Sequence, residues 1–123
     1  MKIYKLSFLF LFCFIIHSVF SQDKLELINS HEIIQKGYEY YISGDFEKAL
    51  TEFNKVPEND SNYVSAIVEK ILTYYQLENY EKGVETAKKA FLFKEQMQPN
   101  VYLNMGICFD KMEKYDEAIK WYD

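Results

Sequence analysis

The side chains able to do acid–base, nucleophilic or metal chemistry are few in this chain and widely scattered. Its 123 residues hold two histidines, His17 and His31, and two cysteines, Cys13 and Cys108. A metal site needs three or four such donors brought together, and a nucleophile needs a neighbouring base. Neither set can be filled here. No glycine-rich loop of the phosphate-cradling kind is present. The carboxylates Glu47, Glu52, Glu69, Glu81, Glu85, Asp116 and Glu117 fall mainly on expected solvent faces of helices, where charge pairs three or four residues apart account for them. Catalysis and cofactor binding are therefore not expected.

Charge narrows the partner. The chain carries a net charge of −5 and no arginine, so it lacks the bidentate fork that reads phosphate, and nucleic acid and anionic lipid are poor candidates. Lys88 and Lys89 are adjacent, and a solvated helix face explains the pair better than a phosphate site.

The first residues read as a targeting segment. Lys2 and Lys5 precede an apolar run from Leu6 to Ile16, broken only by Ser7, and Val19 and Ser21 stand where a signal peptidase accepts small or slim side chains. Cleavage is expected between Ser21 and Gln22, with export to a periplasmic or extracellular space, most naturally a bacterial envelope. An uncleaved anchor is the alternative, but His17 and Ser18 leave the run short of the roughly 20 apolar residues a bilayer span needs. Cys13 sits in mid-core and reads as filler. Removing residues 1–21 takes away two lysines and no acid, which moves the net charge from −5 to −7. One cysteine then remains, Cys108 between Ile107 and Phe109, with the character of a small buried hydrophobe.

Beyond the leader, one short pattern organises the chain. Gly44 to Leu50 reads GDFEKAL, and related stretches return at Asn79 to Val84 (NYEKGV) and Lys114 to Ile119 (KYDEAI). Gly44 can end a helix in the left-handed conformation, Asp45 can accept from the free amides of the next helix, and Phe46 and Ala49 begin an apolar face. The small residue recurs as Ala49, Gly83 and Ala118, at spacings of 34 and 35, each with an aromatic three residues before it: Phe46, Tyr80 and Tyr115. Close helix crossing requires a small residue there, because a larger one would push the axes apart.

In chain order, Gln22 to Asn29 is a lead-in. Asn29 with Glu32 has the shape of a capping box, and a first helix is expected to run to Ser43 or Gly44. Its partner is expected from Phe46 to Val56, ended by Pro57. A second pair is expected from Asn62, with Val64, Ile67, Val68, Ile71, Tyr74 and Tyr75 as its stripe, turning at Leu77–Asn79 and returning from Tyr80 to about Lys94. Pro99 suits the first turn of a third pair that turns at Glu113–Lys114 and restarts at Tyr115. Ala118, Ile119 and Tyr122 would lack a following helix to pack on, so the chain is expected to be the N-terminal part of a longer protein or an incomplete sequence.

From about Ser30 onward the chain resembles the tetratricopeptide repeat family. The matching residues are Gly37, Tyr40, Gly44, Phe46, Ala49, Phe53 and Val56 in a first copy (about 30–61). Tyr74, Tyr80, Gly83, Ala87 and Ala90 match in a second (62–98), and Gly106, Phe109, Tyr115, Ala118 and Tyr122 in a third (99–123). Lys36 and Lys70 stand where the family usually has leucine, Ile71 replaces a small residue, and Pro57 arrives early. The resemblance implies an all-α fold, a right-handed α-solenoid of stacked antiparallel helix pairs with an incomplete last repeat.

The resemblance also implies a function: a concave groove, lined by the first helix of each pair, that holds a peptide or a partner's helix. Carried over by position, the groove residues are Ile34, Tyr38 and Tyr41, then Val68, Leu72, Tyr75 and Gln76, then Leu103, Asn104 and Ile107. His31, Gln35, Ile42, Ser65, Glu69 and Lys111 occupy neighbouring places on the same face. Tyrosines give large contact area at low entropic cost, so Tyr38, Tyr41 and Tyr75 lead. The Lys and Asn set with which family members clamp a terminal carboxylate is replaced by Ile34 and Tyr38, which argues against chaperone tails. The expected function is a non-enzymatic protein-interaction scaffold with no cofactor, no nucleic acid and no membrane span in the mature segment. The alternative is the periplasmic sensor part of a longer membrane signalling protein, with a kinase or DNA-binding output further along.

Overall fold

The computed structural model describes residues 29–122; the expected targeting segment, its cleavage point and the lead-in up to Ile28 lie outside the described residues. The described part is all-helical, with six α-helices, one 3-10 turn and no strand. The helices are α1 Ser30–Ile42, α2 Phe46–Phe53, α3 Tyr63–Gln76, α4 Tyr80–Ala90, α5 Pro99–Lys111 and α6 Tyr115–Tyr122. They pack as three pairs, α1 with α2, α3 with α4, and α5 with α6, and α3 also meets α2 on one side and α5 on the other.

One turn is built three times. After α1, the Gly44 amide donates to the Tyr41 carbonyl at 3.1 Å and the Asp45 amide to that of Tyr40 at 2.9 Å. After α3, Glu78 donates to Tyr75 and Asn79 to Tyr74; after α5, Glu113 donates to Asp110 and Lys114 to Phe109. This is the Schellman arrangement, which satisfies the last carbonyls of a helix by passing one residue through the left-handed region. That residue is Gly44 at φ +82°, Glu78 at +56° and Glu113 at +60°. Only the first turn has the residue type that adopts the conformation without strain.

The helix starts vary more. Asn29 caps α1, its side-chain oxygen accepting from the Glu32 amide at 3.4 Å. The Glu32 carboxylate answers the Asn29 side-chain amide rather than its backbone, so the expected box closes side chain to side chain. Asn79 caps α4 by accepting from the Lys82 amide. Asp45 makes no capping bond. Its carboxylate instead pairs with Lys48 at 3.0 Å, a correction to the expected cap.

Two helices end earlier than their sequence pattern implies. The expected reach of α2 to Val56 falls short at Phe53, because Lys55 and Val56 donate three residues back, to Glu52 and Phe53, in a tighter turn. Val56 is thereby rolled into the core, and Pro57 behind it disfavours the helical region for that residue in any case. Likewise α4 stops at Ala90 rather than about Lys94. Phe91, Leu92 and Phe93 donate to Lys88, Lys89 and Ala90, which swings Phe93 edge-on to Tyr63 at 4.9 Å and stacks Phe91 on Tyr102 and Trp121.

Contact with neighbours on both sides makes α3 the centre of the core. Besides Val64, Ile67 and Ile71, it buries Tyr63, Ala66, Lys70 and Thr73, wider than one amphipathic stripe. The departures at Lys36 and Lys70 now have a physical account. Lys36 reaches across to α2 and pairs with Glu52 at 3.2 Å, a carboxylate also bound by Lys55 at 2.7 Å. Lys70 lies with its ammonium 3.4 Å from the Asn54 side-chain oxygen and 5.5 Å from the centre of the Tyr63 ring.

Within each pair the crossing is set by two side chains together. A methyl group on Gly37 would run into the Phe53 ring, and one on Gly106 into the Tyr122 ring. The corresponding residues of the middle pair are Ile71 and Ala87, both fully buried. By the repeat period, a branched residue on the first helix is matched there with a small one on the second. Ala49 and Ala118 are buried as expected, and Gly83 leaves space that the Cys108 sulfur occupies, 2.8 Å from where its Cβ would stand.

Candidate partner-binding face

The first helices of the pairs, α1, α3 and α5, are linked along one face by polar side chains at matching heights. Gln76 on α3 donates to the Tyr41 hydroxyl on α1 at 3.1 Å. Gln98, just before α5, donates to Ser65 on α3 at 2.8 Å. Tyr41 is fixed further by lying parallel to Tyr38, centroids 6.2 Å apart, and edge-on to Phe46 at 5.6 Å.

Between α3 and α5 this face opens into a cavity of about 210 Å³ lined by Ile71, Leu72, Tyr75, Asn104 and Ile107. Four of these five were expected on the groove from sequence. Ile71 was not, because its position reads as a packing site. The helical spacing brings the walls together: Leu72 and Tyr75 are three apart on α3, and Asn104 and Ile107 three apart on α5. The Lys111 ammonium stands 5.8 Å from the centre of the Tyr75 ring. Tyr75 is held from behind by Tyr80 at 5.7 Å.

Asn104 is the polar group of this wall. It is only 8% exposed as a whole residue, on the wall of the cavity. A carboxamide carries two donors and an acceptor, so this one can bond the backbone of a segment that enters the cavity. Glu69, one helical turn before Leu72, is half-buried, and burial raises its carboxyl above the usual carboxylate range.

The other expected groove residues are placed differently. Val68 is 6% exposed and belongs to the core, because α3 has helices on both flanks; it is not available to a partner. Ile34 is partly buried against the same core. Tyr38 is 44% exposed and free to be touched. Leu103, 49% exposed, lies instead toward α6, on a second cavity of about 530 Å³ with Pro99, Tyr102, Lys120, Trp121 and Tyr122. Among the positions expected to be structural, Tyr40 and Tyr74 are half-buried, Phe109 packs on the core, and Tyr115 is exposed.

The chemistry of the face is that of contact. Burial pushes the Cys108 thiol up to about 11, so it carries no thiolate at neutral pH. Among the described residues no group of three His, Cys, Asp or Glu side chains is placed to hold a metal, and no helix is long and apolar enough to cross a membrane.

A tetratricopeptide repeat is found at residues 99–123. This repeat supplies Asn104 and Ile107 to the cavity, and its Gly106 is the glycine that faces the Tyr122 ring. Over more of its length the chain is similar to the Hsp70-Hsp90 organising protein of Plasmodium falciparum, 30% identical over 103 residues that cover 79% of this chain and 18% of that protein. It is also similar to the protein STIP1 homolog of Dictyostelium discoideum, 26% identical over 92 residues, covering 70% of this chain and 16% of that one. The chain thus spans less than a fifth of the length of either relative.

Proposed function

We propose that the chain is an exported, non-enzymatic interaction module that holds a peptide or helix of a partner protein against α1, α3 and α5, with residues 30–61 and 62–98 as two further repeats before the one at 99–123. The observation that carries this reading is the cavity between α3 and α5, walled by Ile71, Leu72, Tyr75 and Ile107 with the amide of Asn104 among them. An apolar side chain seated there would be desolvated while its own backbone bonds Asn104, the combination that gives a binding hot spot. The tetratricopeptide repeat at 99–123 supports an interaction role, as does similarity to a protein named for organising Hsp70 and Hsp90. Chaperone tails are not the partner we favour here, since Ile34 and Tyr38 offer no cation to a terminal carboxylate. Export rests on residues 1–21, and protein recovered from its native cell should begin at Gln22 by N-terminal mass spectrometry.

The test is a paired substitution on the face. Tyr41→Ala with Tyr75→Ala removes the hydroxyl that Gln76 donates to and one wall of the cavity. Binding of peptides selected on the unaltered chain should weaken by about tenfold or more, with helicity by circular dichroism unchanged. Unchanged affinity would remove this face from the function.

A further inference from the structure

We propose that the segment held on this face is cationic, with a lysine or arginine side chain paired to Glu69 and a neighbouring apolar side chain seated in the cavity. The inference rests on the groove reading above and adds to it the charge of the occupant.

The place of Glu69 on α3 follows from three residues that share its face. Ser65, four residues earlier on α3, accepts from Gln98; Leu72, three residues later, is a wall of the cavity; Gln76, seven later, reaches Tyr41 on α1. Residues at these spacings share one helix face, so Glu69 stands on the surface that looks out between α1 and α5, about 5–6 Å from Leu72 in Cβ terms. Asn104 occupies the matching height on α5, 35 residues along, as one repeat follows another.

The lysines of α1, α3 and α5 are engaged elsewhere. Lys36 on α1 turns to Glu52, Lys70 beside it on α3 turns to Asn54 and the Tyr63 ring, and Lys111 on α5 stands over Tyr75. Three carboxylates have cations: Asp45 has Lys48, Glu52 has Lys36 and Lys55, and Glu85 has Lys82. Glu69 has none within ion-pair distance among the described residues, although it is more buried than Asp45 or Glu85. A half-buried carboxylate without a counter-ion costs stability and repels an acidic ligand. It is complementary to an ammonium or guanidinium group, which it can receive while Asn104 bonds the adjacent backbone. The chain's net charge of −5 points the same way, favouring approach of a cation.

The experiment is a selection on the full chain with a library of N-acetylated, C-amidated heptapeptides fixed at one leucine and randomised elsewhere. Lysine and arginine should be enriched at one offset from the leucine. In Glu69→Gln that enrichment should drop about five- to tenfold while the leucine stays required. In Glu69→Lys the preference should turn to aspartate and glutamate at the same offset. Enrichment of acidic peptides on the unaltered chain, no charge preference at all, or a cation preference that survives in Glu69→Gln each overturns the inference while leaving the groove reading intact. A library from which nothing is enriched overturns both.

Discussion

At the scale of single residues, Glu69 and Glu52 are acids with opposite relations to the fold. Burial raises the Glu69 carboxyl, so the folded state holds its proton more tightly than the unfolded chain does, and stability falls as pH rises through that group's titration. Glu69→Gln should then be more stable than the unaltered chain at pH 7, by roughly 0.5 kcal/mol because half the side chain still meets solvent, with the gain gone at pH 3. Chemical denaturation at the two pH values checks this. Glu52 has the reverse sign. Hydrogen bonds from Lys55 and Lys36 hold its carboxyl below the usual range, so its contribution is present above that range and is lost as pH falls through the folded value. Removing its partners with Lys36→Met and Lys55→Met should reduce the loss of melting temperature between pH 6 and pH 3. Gly37 belongs to this scale too. Gly37→Ala forces the Phe53 ring aside in a closed crossing and should cost about 1–3 kcal/mol in a urea titration.

At the scale of elements, the three turns share one hydrogen-bond pattern but not one residue type, and this sets a clear expectation. Glu78→Gly and Glu113→Gly relieve left-handed strain and should each raise stability by about 1 kcal/mol. Gly44→Ala should lower it by a similar amount, through conformation alone, since nothing lies near the place of the added carbon. Thermal melts of the three variants decide it. The turns were legible in the sequence because Gly44, Asn79 and the spacing of the aromatics are local signals. The ends of α2 and α4 were not, because Val56 and Phe91 leave the helical path to reach partners far along the chain, Phe91 going to Tyr102 and Trp121. The same division holds on the candidate face. Leu72, Tyr75, Asn104 and Ile107 were readable from period and helix phase. The burial of Val68 and the bond between Gln76 and Tyr41 depend on how one pair stacks on the next, which no single helix encodes.

At the scale of the whole molecule, stacking makes each pair depend on its neighbours, and the central pair has the most to lose. Hydrogen exchange should be slowest in α3, which is covered on both sides, and fastest in α1 and α6 at the ends of the described stack. Uniform protection across all six helices would mean that the stack opens only as one unit. The paired crossings carry a further consequence for how such a chain can be rearranged. Gly37 with Phe53 and Gly106 with Tyr122 each divide one volume between two helices, and the equivalent buried positions of the middle pair, Ile71 and Ala87, carry the large and small side chains the other way round. Whole pairs can therefore be exchanged or duplicated with their own crossings intact. A recombination that joins the first helix of the outer pair to the second of the middle one would set glycine against alanine and leave a void, and the reciprocal product would press isoleucine against phenylalanine. The pair, rather than the helix, is the unit in which this chain can be shuffled.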